Sequence, residues 1–431
     1  MSATMTQQRG AAGGAGSQTM AVSPQQQNLM TRQLLLQGGN VANIYYPPSV
    51  DMWQQLNPIL PSAVGPGSVI TIQLRNVGLV KRLVVQLNAQ ITAATSDQTL
   101  TPLGLPNLVS NVTFVDLGNN TRINTTGWHL YLVSSVKRRR VFGAAYPSDN
   151  PAGYTGYDPD WTAGGSPSTS SPIDDINNRI IYAPRTIPAG TTVPIRLCLE
   201  IPFVKNNHDL RGSIFADVTN AVMQVQITLN PQMFVSSTAD PTLAMYQSAG
   251  TDLASLSMVG VQCNQNYLDQ LPRNPQTASP ILPALDLGTA YLLTQTAGGL
   301  PVVNQDNGYA FVNARMYEGV AFCYDNAGTL NVNGADLNYV SVVSANFTNI
   351  LRWDGQMLCL VERDILGSDL PAGTHYLDFR HRPINTDTYG NMALVINPSV
   401  VNGSTANTLF GWEAFGVIGQ VSQGGSLPMG A

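Results

Sequence analysis

The chain has 431 residues and a formal net charge of -5, and only 11% of its residues are charged, against roughly 25% in ordinary soluble domains. No apolar run reaches the roughly 18 residues of a membrane-spanning helix, and the start MSATMTQQRGAAGGAGSQ lacks the apolar stretch of a signal peptide. We therefore expect a chain that neither spans a membrane nor is exported by that route, with a weakly charged surface suited to burial against neighbours.

The composition favours β structure. Only four of the 26 acidic residues are Glu, and only three of the 21 basic residues are Lys. These two residues commonly fill exposed helix faces, whereas Asn, Thr, Gly, Pro and Asp, all frequent here, are typical of turns and strand edges. We predict a mainly β fold.

The first 50 residues are predicted to form an N-terminal arm that is disordered when alone. They contain two charges, Arg9 and Arg32, and begin with a Gly, Ala, Ser and Gln mixture that has little to bury. Residues 23–37 read as a short helix, with Ser23 as its N-cap and Gly38 as its stop. Its apolar residues pack either on the chain's own domain or on a neighbouring subunit or lipid surface; they are Leu29, Met30, Leu34 and Leu35.

Residues 51–236 are predicted to form a first β unit. In RLVVQLNAQITA, residues 82–93, apolar and polar side chains alternate, which indicates a half-buried antiparallel strand. Similar strands are predicted at 68–74, 108–117, 191–203 and 222–229, with a hairpin turn at 117–120. The low-complexity stretch 146–172 is too long for a passive connector, so we expect a surface excursion there.

A second β unit is predicted at residues 252–421, after a linker at 237–251 and before a tail at 422–431. Its strands are expected in MVGVQC, GVAFCYD, MLCLVE, YLDFR, MALVIN and FGWEAFGVIGQV. Two β units of similar size predict two consecutive eight-stranded jelly rolls with a few short helices.

No motif for catalysis is found in the sequence. There is no P-loop and no G-x-S-x-G, and four cysteines 65, 60 and 36 residues apart form no C-x-x-C pair. We expect buried free thiols, and hence folding in a reducing cytoplasm. The best metal candidate, THYLDFRHRP, fails as a strand: His375 and Asp378 point to opposite faces, and His375 and His381 lie about 20 Å apart. No catalytic residue, metal or cofactor is predicted.

The stretch TTGWHLYLVSSVKRRR, residues 125–140, reads better as a helix than as a strand. Thr126 can cap it, and Trp128, Tyr131, Leu132 and Val136 form an apolar stripe. His129 is then a structural or exposed residue. Four cations fall at the C-terminal end, where they complement the helix dipole; they are Lys137, Arg138, Arg139 and Arg140.

Three interpretations of these four cations stay open. They can meet acidic groups on a neighbouring subunit, contact anionic lipid headgroups, or bind nucleic acid. The acidic net charge argues against the third interpretation.

Several segments resemble, in order, those of one protein family. They are TTGWHLYLV (125–133), DLRGSIFADV (209–218), YLDQLP (267–272), ILPALDLGTAY (281–291), LNYVSVVSANF (337–347) and YGNMALVINPSVVN (389–402). Together they resemble the major capsid proteins of tectiviruses, icosahedral bacteriophages with an internal lipid membrane. The likeness spans roughly residues 70–415, while residues 1–40 and 144–178 depart from the family pattern.

The resemblance implies a double jelly roll whose homotrimer has a six-lobed outline and tiles a shell over a membrane. The implied partners are its own copies, the viral inner membrane and minor capsid or vertex proteins, without direct nucleic-acid contact. The implied location is the virion, after assembly in the host cytoplasm, and no enzymatic activity is implied. Two alternatives are a glycan-binding or adhesin protein, which has no need of a 50-residue, nearly uncharged arm, and a cupin-like enzyme, which requires a metal.

Overall fold

The computed structural model describes residues 50–417 with gaps. The gaps are residues 102, 139–185, 206–209, 217–221, 236–243, 249–253, 272–288, 300, 327–328, 331–333, 346–348, 367–369, 371–372, 382, 387–389 and 401–406. The predicted helix 23–37, the excursion 146–172 and the tail 422–431 lie outside the described residues. The described part contains no helix that is both long and apolar enough to cross a bilayer.

Strands dominate the described residues up to residue 270. They are β1 Val50–Leu56, β2 Val69–Gln73, β3 Leu79–Thr92, β4 Gln98–Leu100, β5 Val109–Val115, β6 Thr121–Thr125, β7 Thr186–Ile187, β8 Thr192–Pro202, β9 Ile214–Phe215, β10 Gln224–Leu229, β11 Phe234–Val235, β12 Tyr246–Ser248 and β13 Ser255–Asp269. Helix α1 spans Gly127–Arg138, between β6 and β7, and a 3₁₀ turn spans Leu105–Leu108.

The remaining described residues continue the β pattern. Their strands are β14 Thr289–Ala297, β15 Asn307–Ala310, β16 Arg315–Asn326, β17 Thr329–Leu330, β18 Leu337–Ser344, β19 Leu351–Trp353, β20 Thr374–Asp378, β21 Ile384–Asn385, β22 Met392–Pro398 and β23 Asn407–Val417. Helix α2 spans Gly355–Leu366, between β19 and β20.

These strands form four sheets. One sheet has the order β1-β13-β3-β8, with β9 also paired to β3, and a small sheet has the order β11-β12-β4-β7. A long sheet runs β17-β16-β23-β14-β6-β5-β10-β2, with β20 and β21 also paired to β16, and the fourth sheet has the order β15-β22-β18-β19. The long sheet is continuous because β14 pairs in parallel with β6, Leu293 opposite Ile123.

The sheets divide the described strands into two units at the break between β13 and β14. We call β1–β13 the first roll and β14–β23 the second roll. Among the described strands, only the β14–β6 pairing joins the two rolls. The break falls after residue 269, later than the sequence-based division at residue 252. Strand β13 pairs with β3 and β1, so residues 255–269 complete a sheet of the first roll.

The predicted linker 237–251 also differs in part from the structure. Within it, Tyr246–Ser248 form β12, which pairs with β4, and Met245 and Tyr246 are fully buried. The turn-rich composition of this segment predicted a linker. A strand of three residues is too short to show alternation of apolar and polar side chains.

Strand β3 shows why the alternating sequence folds as it does. Leu83, Val85, Leu87, Ala89 and Ile91 are buried, as predicted for one face of a half-buried strand. The facing part of the long sheet adds Ile70, Val112 and Ile227, so that the first core lies between two sheets. The predicted hairpin turn is present as well, with Asn119 at a positive φ of 60° between β5 and β6.

The second roll has its own core, rich in aromatic side chains. Phe322, Phe410 and Trp412 of the long sheet meet Val340 and Leu394 of the β15-β22-β18-β19 sheet. The rings of Phe410 and Trp412 stack with centroids 5.6 Å apart. Two sheets enclosing each core match the predicted arrangement of two rolls.

One predicted strand is wrong. MLCLVE, residues 357–362, lies inside helix α2. The side chain of Asp354 accepts a hydrogen bond from the backbone N–H of Met357 at 2.7 Å, which caps the helix, and Leu358 and Glu362 are buried one turn apart. A short apolar run is compatible with a strand or a helix, and the capping residue Asp354 is the local signal that favours the helix.

Candidate functional site

An ion pair links the two rolls where their strands meet. Lys205, just after β8 of the first roll, contacts Glu318 of β16 in the second roll. The Glu318 side chain is fully buried, and burial raises its pKa while Lys205 opposes that rise. The guanidinium of Arg211 lies 4.7 Å from the ring centroid of Phe415 on β23. Charged side chains of the first roll therefore hold strands of the second.

A second buried carboxylate lies close to this ion pair in the long sheet. Glu413 of β23 is fully buried, and it accepts hydrogen bonds from the hydroxyls of Tyr291 on β14 and Tyr376 on β20, the latter at 2.8 Å. Burial raises the pKa of both tyrosines well above its usual value, and the nearby Glu413 carboxylate raises it further. The hydroxyls thus stay protonated and donate.

The turn before β9 fits against the same region. Gly212 has a positive φ of 88°, and a Cβ there would overlap the backbone oxygen of Phe203 and approach Tyr291. Its carbonyl accepts a hydrogen bond from Arg122 at 3.0 Å, and Arg122 also binds Asp116 at 2.8 Å. The segment DLRGSIFADV therefore contains the first-roll turn that packs onto the second roll.

Helix α1 also reaches across to the second roll. It is the helix expected from the sequence: Thr126 accepts from the backbone N–H of His129 at 3.3 Å, and Trp128, Tyr131 and Leu132 are buried. His129 is fully buried, with its Nδ1 atom 2.5 Å from the Thr125 hydroxyl. Its ring occupies the space that a Cβ at Gly411 of β23 would need. A structural role for His129 follows.

The predicted contact residues are only partly placed. Lys137 and Arg138 are the last two residues of helix α1. Arg139 and Arg140 are outside the described residues, as are Arg9, Arg32 and the arm leucines and methionine, Leu29, Met30, Leu34 and Leu35. The prediction that these ten residues make contacts between subunits or with lipid therefore stays a prediction.

Side chains able to bind a metal meet at a place that the sequence analysis missed. Cys359 and Glu362 of α2 and His375 of β20 have ligand atoms that all lie within 4.8 Å of one another. Burial lowers the pKa of His375, but Glu362 and Cys359 outweigh it and raise that pKa to about 9. Asp378, by contrast, binds Arg380 at 2.5 Å, and His381 is exposed, so the rejected His375, Asp378 and His381 set is not a site.

Family comparisons account for nearly the whole chain. The family model described as P3 major capsid protein N-terminal matches residues 5–271, and the one described as P3 major capsid protein C-terminal matches residues 288–427. The chain belongs to the P3 major capsid protein family. Its two family regions divide between residues 271 and 288, where the sheets also divide. The predicted resemblance to tectivirus capsid proteins is confirmed.

One relative in this P3 family is the major capsid protein P3 of Enterobacteria phage PRD1. It is 32% identical over 352 residues, which cover 81% of this chain and 83% of the relative. The chain is accordingly a major capsid protein, a structural component of the virion shell rather than an enzyme.

Solved structures confirm the fold of this P3 family member. The STIV MCP crystal structure has a TM-score of 0.54 at 12% identity, over 85% of this chain and 97% of that one. The atomic structure of Sulfolobus turreted icosahedral virus gives 0.52 at 12% identity, over 85% and 91%. The double jelly roll predicted from the sequence is confirmed.

Proposed function

We propose that this major capsid protein forms homotrimers that act as pseudo-hexagonal tiles of an icosahedral shell over an internal lipid membrane. The observation that supports this most is the continuous long sheet, in which β14 of the second roll pairs with β6 of the first. Two similar rolls fixed side by side give each chain two lobes, and three chains then give six. Such an outline tiles a surface with each lobe against a neighbour.

The contacts between the rolls support a rigid tile. The Lys205–Glu318 ion pair, the Arg211–Phe415 contact and the seating of His129 against Gly411 all cross between rolls. Buried polar contacts need specific geometry, since a misplaced partner leaves a desolvated charge. A hinge between the rolls would break all three contacts, so the pair of rolls moves as one body.

The proposed partners are other copies of the chain, the inner membrane and minor capsid or vertex proteins, without direct contact to nucleic acid. The arm, predicted as residues 1–50, and the cations Lys137, Arg138, Arg139 and Arg140 are proposed contacts between subunits or with lipid. Low overall charge supports contact between copies, because a weakly charged surface loses little hydration when buried.

Native mass spectrometry and negative-stain imaging of the purified full-length protein test the trimer. We expect a mass of three chains and class averages with six lobes. A variant lacking residues 1–43 should keep the trimer but assemble shells poorly, because the arm is too polar and Gly-rich to belong to either core. Monomers or dimers alone at micromolar concentration would contradict the proposal, and loss of the trimer in the shortened variant would contradict the role of the arm.

A further inference from the structure

Helix α2 and strand β20 bring three different metal-ligating groups to one point in the second roll. Cys359 and Glu362 are three positions apart, and therefore lie on one face of α2. His375 of β20 faces them, and the thiol, carboxylate and imidazole ligand atoms all lie within 4.8 Å of one another.

The spacing of Glu362 and His375 is close to that of two ligands of a tetrahedral ion. Zinc ligands lie about 2.0–2.2 Å from the ion, so two nitrogen or oxygen ligands of a tetrahedron are about 3.3–3.5 Å apart. The Glu362 Oε2 and His375 Nδ1 atoms are 3.2 Å apart. At this separation the Glu362 and His375 atoms can share a hydrogen bond, and they can also both bind one ion. The ion would then replace the proton of that hydrogen bond.

The surroundings of Glu362 hold it in position. Its Oε1 atom accepts a hydrogen bond from the backbone N–H of Tyr376 at 2.7 Å, which leaves Oε2 directed at His375. Hydrogen bonds of this kind orient ligating carboxylates in metal sites. The ring of Phe322, centred 4.9 Å from the His375 ring, packs beside the imidazole.

The three side chains differ in their exposure to solvent. His375 is 2% exposed and Glu362 is 4% exposed, whereas Cys359 is partly exposed. An ion can therefore enter at the thiol side, and water can complete the coordination there. Thiolate and imidazole favour zinc over calcium or magnesium, which prefer oxygen ligands alone.

We propose that Cys359, Glu362 and His375 bind one Zn²⁺ ion per chain. The ion would add a link between α2 and β20, which Glu362 already joins through its hydrogen bonds to His375 and to the backbone N–H of Tyr376. Ligand binding to the folded state alone stabilises that state, so zinc should raise the melting temperature of the chain. Neither trimer formation nor shell assembly is needed for this binding.

Equilibrium dialysis of the full-length protein against Zn²⁺, with a reducing agent and after removal of metal by a chelator, tests the site. We expect one ion per chain in the wild type. Cys359→Ser and His375→Gln should each weaken binding by about tenfold or more. Cys198→Ser is the matched control, since Cys198 is a buried cysteine of β8 in the first roll, and the variant should bind zinc like the wild type.

Co²⁺ provides a second measurement, since a thiolate ligand produces a charge-transfer absorption in the near ultraviolet. The wild type and Cys198→Ser should show this band, and Cys359→Ser should not. If His375→Gln does not fold, Cys359→Ser alone is sufficient to test the site. The Cys359 side chain is partly exposed, so replacing it with Ser leaves no cavity. Absence of stoichiometric zinc in the folded wild type, or equal binding by wild type and Cys359→Ser, would overturn the proposal.

Discussion

Glu413 is a buried charge whose cost the structure offsets with two hydroxyl groups. A carboxylate taken out of water is strongly destabilising unless hydrogen bonds replace its hydration. Tyr291 and Tyr376 provide these bonds from β14 and β20, on two different strands of the long sheet. The three side chains thus form one unit, and removing either hydroxyl takes a hydrogen bond from a buried carboxylate.

We predict that Tyr291→Phe lowers the free energy of unfolding by about 1.5–3 kcal/mol, the usual range for a lost hydrogen bond to a charged group. The benzene ring keeps the packing against Phe415, whose centroid is 5.4 Å away. Thermal or urea unfolding at a fixed protein concentration measures the change.

Tyr339→Phe is the matched control for this substitution. The Tyr339 hydroxyl also donates to a carboxylate, that of Asp306, but this bond is exposed to solvent. Surface changes of this kind stay within about 0.5 kcal/mol. Equal losses in the two variants would mean that the buried bond to Glu413 contributes no more than an exposed one.

The two helices show what local sequence can and cannot reveal. Helix α1 was predictable, because Thr126 precedes an apolar stripe and cations follow it. The apolar run MLCLVE predicted a strand where the structure has helix α2, and Asp354, three residues before Met357, is the capping residue that marks the helix. That error also hid the cluster of Cys359, Glu362 and His375, because only a helix places Cys359 and Glu362 on one face.

Strand partners were the other feature that sequence alone did not give. The alternation in MVGVQC correctly predicted that residues 258–263 form a strand, but it carries no information on which strand lies alongside. Strand β13 joins β3 across more than 160 residues of chain, with Leu256 opposite Ile91. The ion pair and tyrosine contacts at the joint of the rolls depend on such long-range pairing and were not predictable either.

The contact of α1 with β23 leads to a prediction about glycine. Gly411 lies against the His129 ring, and a Cβ would overlap it. We predict that Gly411→Ala lowers the free energy of unfolding by about 1–3 kcal/mol, the usual cost of overpacking. Differential scanning calorimetry of the isolated protein checks this.

Gly308→Ala provides the control, because the nearest atom to a Cβ there, the Cβ of Ala393, is 4.0 Å away. Its melting temperature should stay unchanged or rise slightly. Combining Gly411→Ala with His129→Ala should cost less than the sum of the single changes, since the smaller side chain makes room for the methyl group. Strict additivity would show that the two elements are not coupled through this contact.

The folded chain consists of two rolls joined through one sheet, and it carries few charged residues. A protein of this kind has to find its neighbours through shape and a few charged positions, since only 11% of its residues carry charge. The run Lys137, Arg138, Arg139 and Arg140 is the densest group of cations in the sequence. It begins at the end of α1, a helix anchored in the first roll by buried Trp128 and Tyr131.

We predict that replacing these four cations by Ser leaves the trimer folded and weakens contacts between trimers in a salt-sensitive way. The apolar face of α1 is untouched, and cations at a helix end contribute only about 0.3–1 kcal/mol each to helix stability. Opposite charges on neighbouring trimers are screened over about 10 Å at 0.1 M salt, so added salt should weaken wild-type assembly toward that of the variant. Light scattering during assembly at several salt concentrations measures this, with Arg75→Ser, a change at an exposed cation of the first roll, as control.

Flotation with liposomes that contain anionic lipid separates the two interpretations that the net charge leaves open. Lipid contact is worth about 1 kcal/mol per cation near an anionic surface, so four cations together would give measurable binding. Equal flotation of wild type and fourfold variant, together with weakened assembly of the variant, supports acidic partners on a neighbouring subunit. Flotation lost only in the variant, with assembly unchanged, would instead place the end of α1 on the membrane side of the shell and contradict the prediction.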